Sequence, residues 1–149
     1  MENIFDKEQN LKLQERLQKL NPESKPLWGK MNVCQMVKHC QKPLEVAEGK
    51  IKLKKSLLGL LFGKIAKKNF LKPGELRKNM PTVPSFKIQE TPDFDSEWLS
   101  LVSIVKSFGE KGPEVIAEKE HPFFGELTDE EWGALQYKHL DHHLKQFDV

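Results

Sequence analysis

The segment from Thr128 to Phe147 carries the strongest helix signal in the chain. Thr128 followed three residues later by Glu131 is the pattern of a capping box, in which each side chain bonds the backbone N–H of the other residue. Each residue turns a helix by about 100°, so one face of the predicted helix collects a defined set of side chains. The set is Trp132, Leu135, Gln136, His139, His143 and Phe147. This face is expected to point into the core, so the fold must bury two imidazoles one helical turn apart.

Three histidines in the sequence are candidates for one metal site. His139 and His143 have the i,i+4 spacing that lets two imidazoles bind the same ion. His39 flanks the apolar stripe of an earlier predicted helix and is also expected at a packed interface. Because a buried imidazole needs a polar partner and few acids are available, the three histidines indicate a divalent metal site. Zinc is the expected ion, with nickel or iron also compatible. The motif is not HExxH, because Leu140 follows His139, and a zincin-type protease is disfavoured.

The rest of the chain predicts an all-α fold in one domain that spans residues 1–149. Further amphipathic helices are expected at about residues 6–20, from the N-cap Asn32 to Gly49, and from Asp93 or Asp95 to a stop formed by Gly109 and Gly112-Pro113. Pro43 inside the second helix is expected to bend it. A long irregular connection follows that helix, with a short helix at 56–68 and a short strand near 86–88. Residues 121–125 are predicted to form a turn.

Composition and cysteine spacing exclude several classes of protein. The chain has 24 Lys and Arg against 22 Asp and Glu, so its net charge does not favour nucleic acid as a partner. Cys34 and Cys40 are six residues apart on one predicted helix and cannot form a disulfide with each other. We expect reduced thiols, with Cys40 in the core, in a cytoplasmic protein. The first residues lack the basic start and apolar run of a signal peptide, and no apolar run approaches about 18 residues, so we expect neither a signal peptide nor a transmembrane span.

The segment 50–78 is strongly basic, with ten Lys or Arg and one acid. Its predicted short helix has an apolar face, with Gly59, Gly63 and Lys67 on the opposite side. The apolar face comprises Leu57, Leu58, Leu61, Phe62 and Ile65. This composition is typical of helices that lie on anionic membranes. We favour instead that the apolar face packs on the other helices or across a homodimer interface, with the lysines in solvent. A further alternative is that the lysines line the mouth of the metal pocket and attract an anionic thiol cofactor.

Several short sequence motifs of the chain resemble those of a known family. They are residues 26–32, Gln35-Met36 with His39, residues 121–125 running into Trp132-Gly133, and residues 136–144. Over nearly the whole chain they are similar to a subgroup of uncharacterised bacterial members of the DinB-like (YfiT-like) superfamily. The resemblance implies an up-up-down-down four-helix bundle, with a divalent metal between helices two and four. It also implies His39, His139 and His143 as the ligands. Characterised relatives include bacillithiol- and mycothiol-dependent transferases, in which the metal activates the thiol.

The resemblance implies an open metal position that holds water or a thiolate. Gln35, Gln136 and His142 are close enough by helical angle to reach it, and of these only His142 titrates near neutral pH. His142 is therefore the candidate catalytic residue, whereas His121 is expected to close a turn. The lack of a convincing base favours thiol transfer over hydrolysis. We expect a metal-dependent enzyme with a small-molecule substrate. The alternatives are a non-catalytic helical module that binds through segment 50–78, or histidines that pack without a metal.

Overall fold

The computed structural model describes residues 1–55 and 57–149 and is mostly helical. Its five α-helices are α1 (Lys7–Leu17), α2 (Val33–Ala47), α3 (Leu57–Leu71), α4 (Phe94–Lys111) and α5 (Asp129–Gln146). The only strands in this part of the chain are β1 (Glu120–His121) and β2 (Gly125–Glu126), which pair antiparallel with Glu120 opposite Glu126. Short 3₁₀ helices lie at Pro84–Phe86 and Gly112–Val115. Within the described ranges, no helix has the length and apolar character needed to cross a membrane.

Four of the helices begin at side-chain caps that the sequence predicts or permits. Asn32 and Gln35 form a capping box at the start of α2, and Thr128 and Glu131 form one at the start of α5. The Asp93 carboxylate accepts from the N–H of Ser96 and starts α4. These bonds satisfy N–H groups that the helix itself leaves unpaired, and they set where α2 and α5 begin. The two helices that carry the candidate ligands therefore begin at the predicted residues.

The core lies between four of the helices, because α1 and α2 each contact both α4 and α5. Trp132, Phe108 and Leu13 are fully buried there. The polar side chain of Asn10 is also buried and donates to the carbonyl oxygens of Ile4 and Val105, at 2.9 and 2.8 Å. The pairing of these groups removes the penalty of burying an amide. Pro43 lies buried inside α2, which continues through it to Ala47.

Of the two stops predicted for α4, Gly112 ends the helix and Gly109 does not. The helix runs on to Lys111, and Gly112 follows it with a φ of +61°. Gly109 serves a different purpose: a Cβ there would lie 2.5 Å from the Asn10 side chain. The glycine allows α4 to approach α1 closely and does not break the helix.

The connection between α2 and α4 contains the predicted helix. As α3 it runs from Leu57 to Leu71, beyond the predicted end at residue 68, and the predicted first residue, Ser56, lies outside the described residues. No strand forms at 86–88, where the Pro84–Phe86 3₁₀ helix and an extended residue are found. The first helix ends at Leu17 and not at Leu20. The predicted turn at 121–125 is present, and the short strand pair that flanks it was not predicted.

Candidate metal centre

The packing of α2 against α5 brings three imidazoles together. His39 projects from α2, and His139 and His143 project from successive turns of α5. The three potential ligand nitrogens all lie within 4.8 Å of one another. The ring centroids are 5.0 Å apart for His39 and His139, and 4.7 Å for each of the other two pairs. His39 and His143 are buried and His139 is half-buried. The three residues predicted as ligands therefore lie in one cluster that could hold a metal ion.

The hydrogen bonds of His39 leave one of its nitrogens free for a metal. Its Nδ1 lies 2.9 Å from the carbonyl oxygen of Phe86. A carbonyl oxygen only accepts, so Nδ1 carries the proton and Nε2 presents its lone pair. This Nε2 lies 3.1 Å from Nε2 of His139. Two nitrogens bound tetrahedrally to zinc at about 2.0–2.1 Å lie about 3.4 Å apart, so the observed separation is close to that of a shared ion.

His143 is oriented by a chain of hydrogen bonds from the far end of α5. Its Nδ1 lies 2.8 Å from Oε1 of Gln146, whose Nε2 donates to the carbonyl oxygen of Trp28 at 2.7 Å. The second bond identifies which end of the Gln146 amide faces the imidazole, so Nδ1 of His143 is the donor and Nε2 is free. The backbone of Gly29 packs closely against this amide, because a Cβ at Gly29 would lie 2.6 Å from Nε2 of Gln146. Such outer partners hold an imidazole in the tautomer and orientation that a metal requires.

The three imidazoles are held in the neutral form that binds metals. Burial lowers the pKa of His39, and its bond to Phe86 offsets the effect only in part. Burial, followed by the charge of His39, lowers the pKa of His143 to about 3. Burial and the neighbouring histidines lower the pKa of His139 well below its ordinary value. At neutral pH a divalent ion would therefore have no proton to displace from these ligands.

The cluster opens into a cavity of about 1180 Å³. Irregular residues between α3 and α4, the end of α3 and residues of the β1–β2 turn complete its wall. Four cationic side chains line it: Lys30, Lys72, Arg77 and Lys87. Glu75 is the one acid among the described lining residues, and its carboxylate lies 3.0 Å from the Lys145 ammonium. The cavity has room for a small molecule beside the imidazoles, and its charge suits an anion.

The three residues that were predicted to reach the open metal position differ in the hydrogen bonds that their side chains already form. Gln35 accepts from the N–H of Asn32, and its amide nitrogen lies 3.2 Å from the Glu90 carbonyl oxygen. Gln136 is buried and donates to the carbonyl oxygen of Pro43 at 3.3 Å. His142 is half-buried on the cavity wall, with its ring 5.2 Å from that of His143. Burial lowers the pKa of His142, so it is neutral and able to accept a proton at neutral pH.

The two residues that were predicted to be structural, His121 in a turn and Cys40 in the core, occupy those positions. Nδ1 of His121 accepts from the backbone N–H groups of Phe123 and Phe124, each at 3.1 Å, which closes the predicted turn. Burial lowers the pKa of His121 to about 4. Cys40 is buried in the core, and burial raises the pKa of its thiol. Neither residue belongs to the histidine cluster.

Sequence reasoning missed the groups that support the cluster. Gln146 could have been found, because it is three residues after His143 and therefore on the same helix face. The Phe86 and Trp28 carbonyls could not, because a backbone oxygen has no sequence signal and both residues lie in connections without a periodic pattern. Their positions depend on how the chain returns over α2 and α5.

A family model described as protein of unknown function (DUF1569) matches residues 6–149, which include all three clustered histidines. The chain belongs to this family. No curated protein and no solved structure matches the chain. The family description assigns no activity, so the argument for function rests on the chemistry of the site.

Proposed function

We propose that this DUF1569 protein is a metal-dependent enzyme in which His39, His139 and His143 bind one divalent ion. One observation carries the proposal: three imidazoles converge at the wall of a large cavity, and two of them donate through Nδ1, which leaves the lone pair of Nε2 for a metal. Three nitrogen ligands with an open fourth position are typical of catalytic zinc sites. Zinc is the expected ion, and nickel or iron would also accept this ligand set.

We also propose that α1, α2, α4 and α5 form a DinB-like bundle with up-up-down-down topology. In that topology each of the first two helices is a neighbour of both later ones, which agrees with the contacts of α1 and α2 with α4 and α5. Helix α3 is then an insertion between the second and third helices of the bundle. The metal would lie between the second and fourth helices of the bundle, α2 and α5.

The reaction that we propose is thiol transfer, with hydrolysis as the alternative. A bound divalent ion lowers the pKa of a water or thiol in its open position. The Phe86 carbonyl and Gln146 hold two of the ligands in place, and Lys72, Arg77 and Lys87 attract an anionic substrate or thiol cofactor. His142 stands beside the ligands and can accept the proton that the nucleophile releases. The Glu75 carboxylate is engaged by the Lys145 ammonium, so the site favours a nucleophile that needs little further activation.

The metal content of protein purified without an affinity tag tests the site. We expect near-stoichiometric zinc, nickel or iron in the parent by mass spectrometry, and loss of the metal in His39→Ala and His143→Ala. His142→Ala is the matched control, because His142 neighbours His143 but lies outside the cluster, and this variant should keep its metal. A metal-free parent that also fails to take up added zinc tightly would overturn the proposal.

Cobalt substitution separates the two reactions. A low-molecular-weight thiol that binds Co²⁺ directly should produce a sulfur-to-metal charge-transfer band in the absorption spectrum. Thiol transfer requires that this band appears when the thiol is present and is absent without it. A cobalt-loaded protein that cleaves ester or amide substrates and shows no thiol-dependent band would favour the hydrolase.

A further inference from the structure

The outer face of α3 exposes six large apolar side chains within nine residues. Their exposed fractions are 81% for Leu57, 63% for Leu58, 83% for Leu60, 71% for Leu61, 55% for Phe62 and 63% for Ile65. The sequence predicted that this face would pack on the other helices or across a homodimer interface, and within one chain it does not pack on the other helices. Monomeric proteins rarely leave a contiguous apolar patch of this kind in water. The patch therefore calls for an occupant outside the chain.

The inner face of α3 explains why the leucines point outward. Gly59 and Gly63 lie against the backbone of the β1–β2 turn, where a Cβ on Gly59 would be 2.6 Å from the Phe123 carbonyl oxygen. A Cβ on Gly63 would clash with the same oxygen. Lys67 adds a bond from its ammonium to the Glu131 carboxylate at 3.0 Å. The contact depends on small side chains, so the helix cannot rotate its leucines inward.

The charge around the patch identifies the kind of occupant. The sequence from Gly49 to Gly74 contains no Asp or Glu. Lys64 and Lys68 share the outer side of α3 with Leu57 and Leu61, as the helical spacing requires. Lys52 and Lys54 precede the helix at its other end. Among the residues that the structure describes, none of these four lysines forms an ion pair, although Lys55 and Lys67 do.

We propose that α3 docks on an anionic lipid surface, with its leucines at the boundary between headgroups and acyl chains. Free lysines at both ends of an apolar patch complement a layer of negative headgroups, and apolar burial and charge attraction add together in such binding. A second copy of the chain fits less well. Its α3 would bring further lysines to the contact, and the stretch 49–74 has no acid to pair with them. The proposal does not depend on the metal site.

Co-sedimentation with lipid vesicles tests this assignment on the full chain. We expect the parent to bind vesicles of phosphatidylcholine mixed with phosphatidylglycerol, and to bind pure phosphatidylcholine vesicles much more weakly. The double variant Leu61→Gln/Ile65→Gln should lose at least about tenfold in affinity, because each removed side chain contributes apolar burial. The double variant Lys64→Gln/Lys68→Gln should lose affinity only for the anionic vesicles, and added salt should weaken parent binding.

The variant Leu11→Gln/Leu99→Gln is the matched control. These leucines are exposed to a similar degree, 58% and 60%, but lie on α1 and α4. It should bind vesicles as the parent does, and circular dichroism should show every variant folded, because no buried residue is changed. Failure of the parent to bind anionic vesicles would overturn the proposal. An equal loss of affinity in the control would also overturn it. So would a parent that does not bind vesicles but forms a dimer, if Leu61→Gln/Ile65→Gln dissociates that dimer.

Discussion

Helix α5 buries the apolar face that was predicted to point inward, whereas the apolar face of α3, predicted to pack on the other helices or across a homodimer interface, is exposed in the single chain. In α5 the predicted inward set includes Trp132, which is fully buried, and the two histidines of the cluster. In α3 the predicted inward set is exposed, and the face with Gly59 and Gly63 is the one that packs. Large apolar side chains orient a helix when its neighbours leave room for them. Where a backbone lies across the helix, small residues decide the orientation.

The largest expected contrast is between truncations on these two helices. Trp132→Ala should lower the free energy of unfolding by about 3–5 kcal/mol, because it leaves a cavity in the core. Leu61→Ala should change it by less than about 0.5 kcal/mol, because that side chain is 71% exposed. Urea titrations followed by circular dichroism measure both changes. A large loss for Leu61→Ala would mean that its side chain is buried in the folded chain.

The second prediction concerns acid stability and His121, whose turn supports the inner face of α3. Its pKa is about 4 in the folded chain and about 6.5 when unfolded, so the unfolded chain binds more protons between these values. Stability is fully present above pH 6.5 and is lost as the pH falls toward 4, by up to about 3 kcal/mol. The physical cause is burial, which disfavours the charged imidazolium; protonation of Nδ1 would also remove the acceptor for the N–H groups of Phe123 and Phe124.

The variant His121→Asn isolates this effect. Its side-chain oxygen can accept from the same N–H groups but does not titrate. In chelator-treated protein, unfolding at several pH values should show a shallower decline for the variant than for the parent. The other histidines with lowered pKa contribute to both slopes, so only the difference counts. Identical slopes would contradict a neutral, buried His121.

The third prediction tests the glycine face directly. Gly63→Ala should destabilise the protein by about 1–3 kcal/mol, because the added methyl group meets the Phe123 carbonyl. Helix propensity alone would stabilise the variant by about 1 kcal/mol. Lys64→Ala, one residue away on the outer side, is the control and should be nearly neutral. Thermal unfolding that shows a more stable Gly63→Ala would mean that α3 does not pack through its glycines.

The smallest effect concerns the outer support of the cluster on α5. Gln146→Leu keeps the bulk of the side chain but removes the acceptor for Nδ1 of His143. Losing such a partner weakens metal binding by about 10–100-fold. Competition for zinc with a chromophoric chelator measures the change, and Gln41→Leu, a buried glutamine that lies outside the cluster, is the control. Unchanged affinity in Gln146→Leu would show that the His143 tautomer is set by something else.

Predictions from the sequence were most accurate for features that depend only on residues close together in the chain. The capping boxes at Asn32 and Thr128 and the HxxxH pair are set by spacing within one helix, so they could be read directly. The convergence of His39 with that pair agrees with the resemblance that suggested it. Gly109 was misinterpreted because only the approach of Asn10 reveals its purpose. The Phe86 carbonyl was missed because backbone oxygens carry no sequence signal.

X-ray absorption at the zinc edge of metal-free protein loaded with one equivalent of zinc tests the three-histidine site. We expect one tightly bound ion per chain, with three imidazole nitrogens at about 2.0–2.1 Å and a water oxygen as the fourth ligand. His143→Ala should reduce the imidazole count or abolish binding. A sulfur ligand from Cys34, or zinc bound with fewer than three imidazoles in the parent, would contradict it.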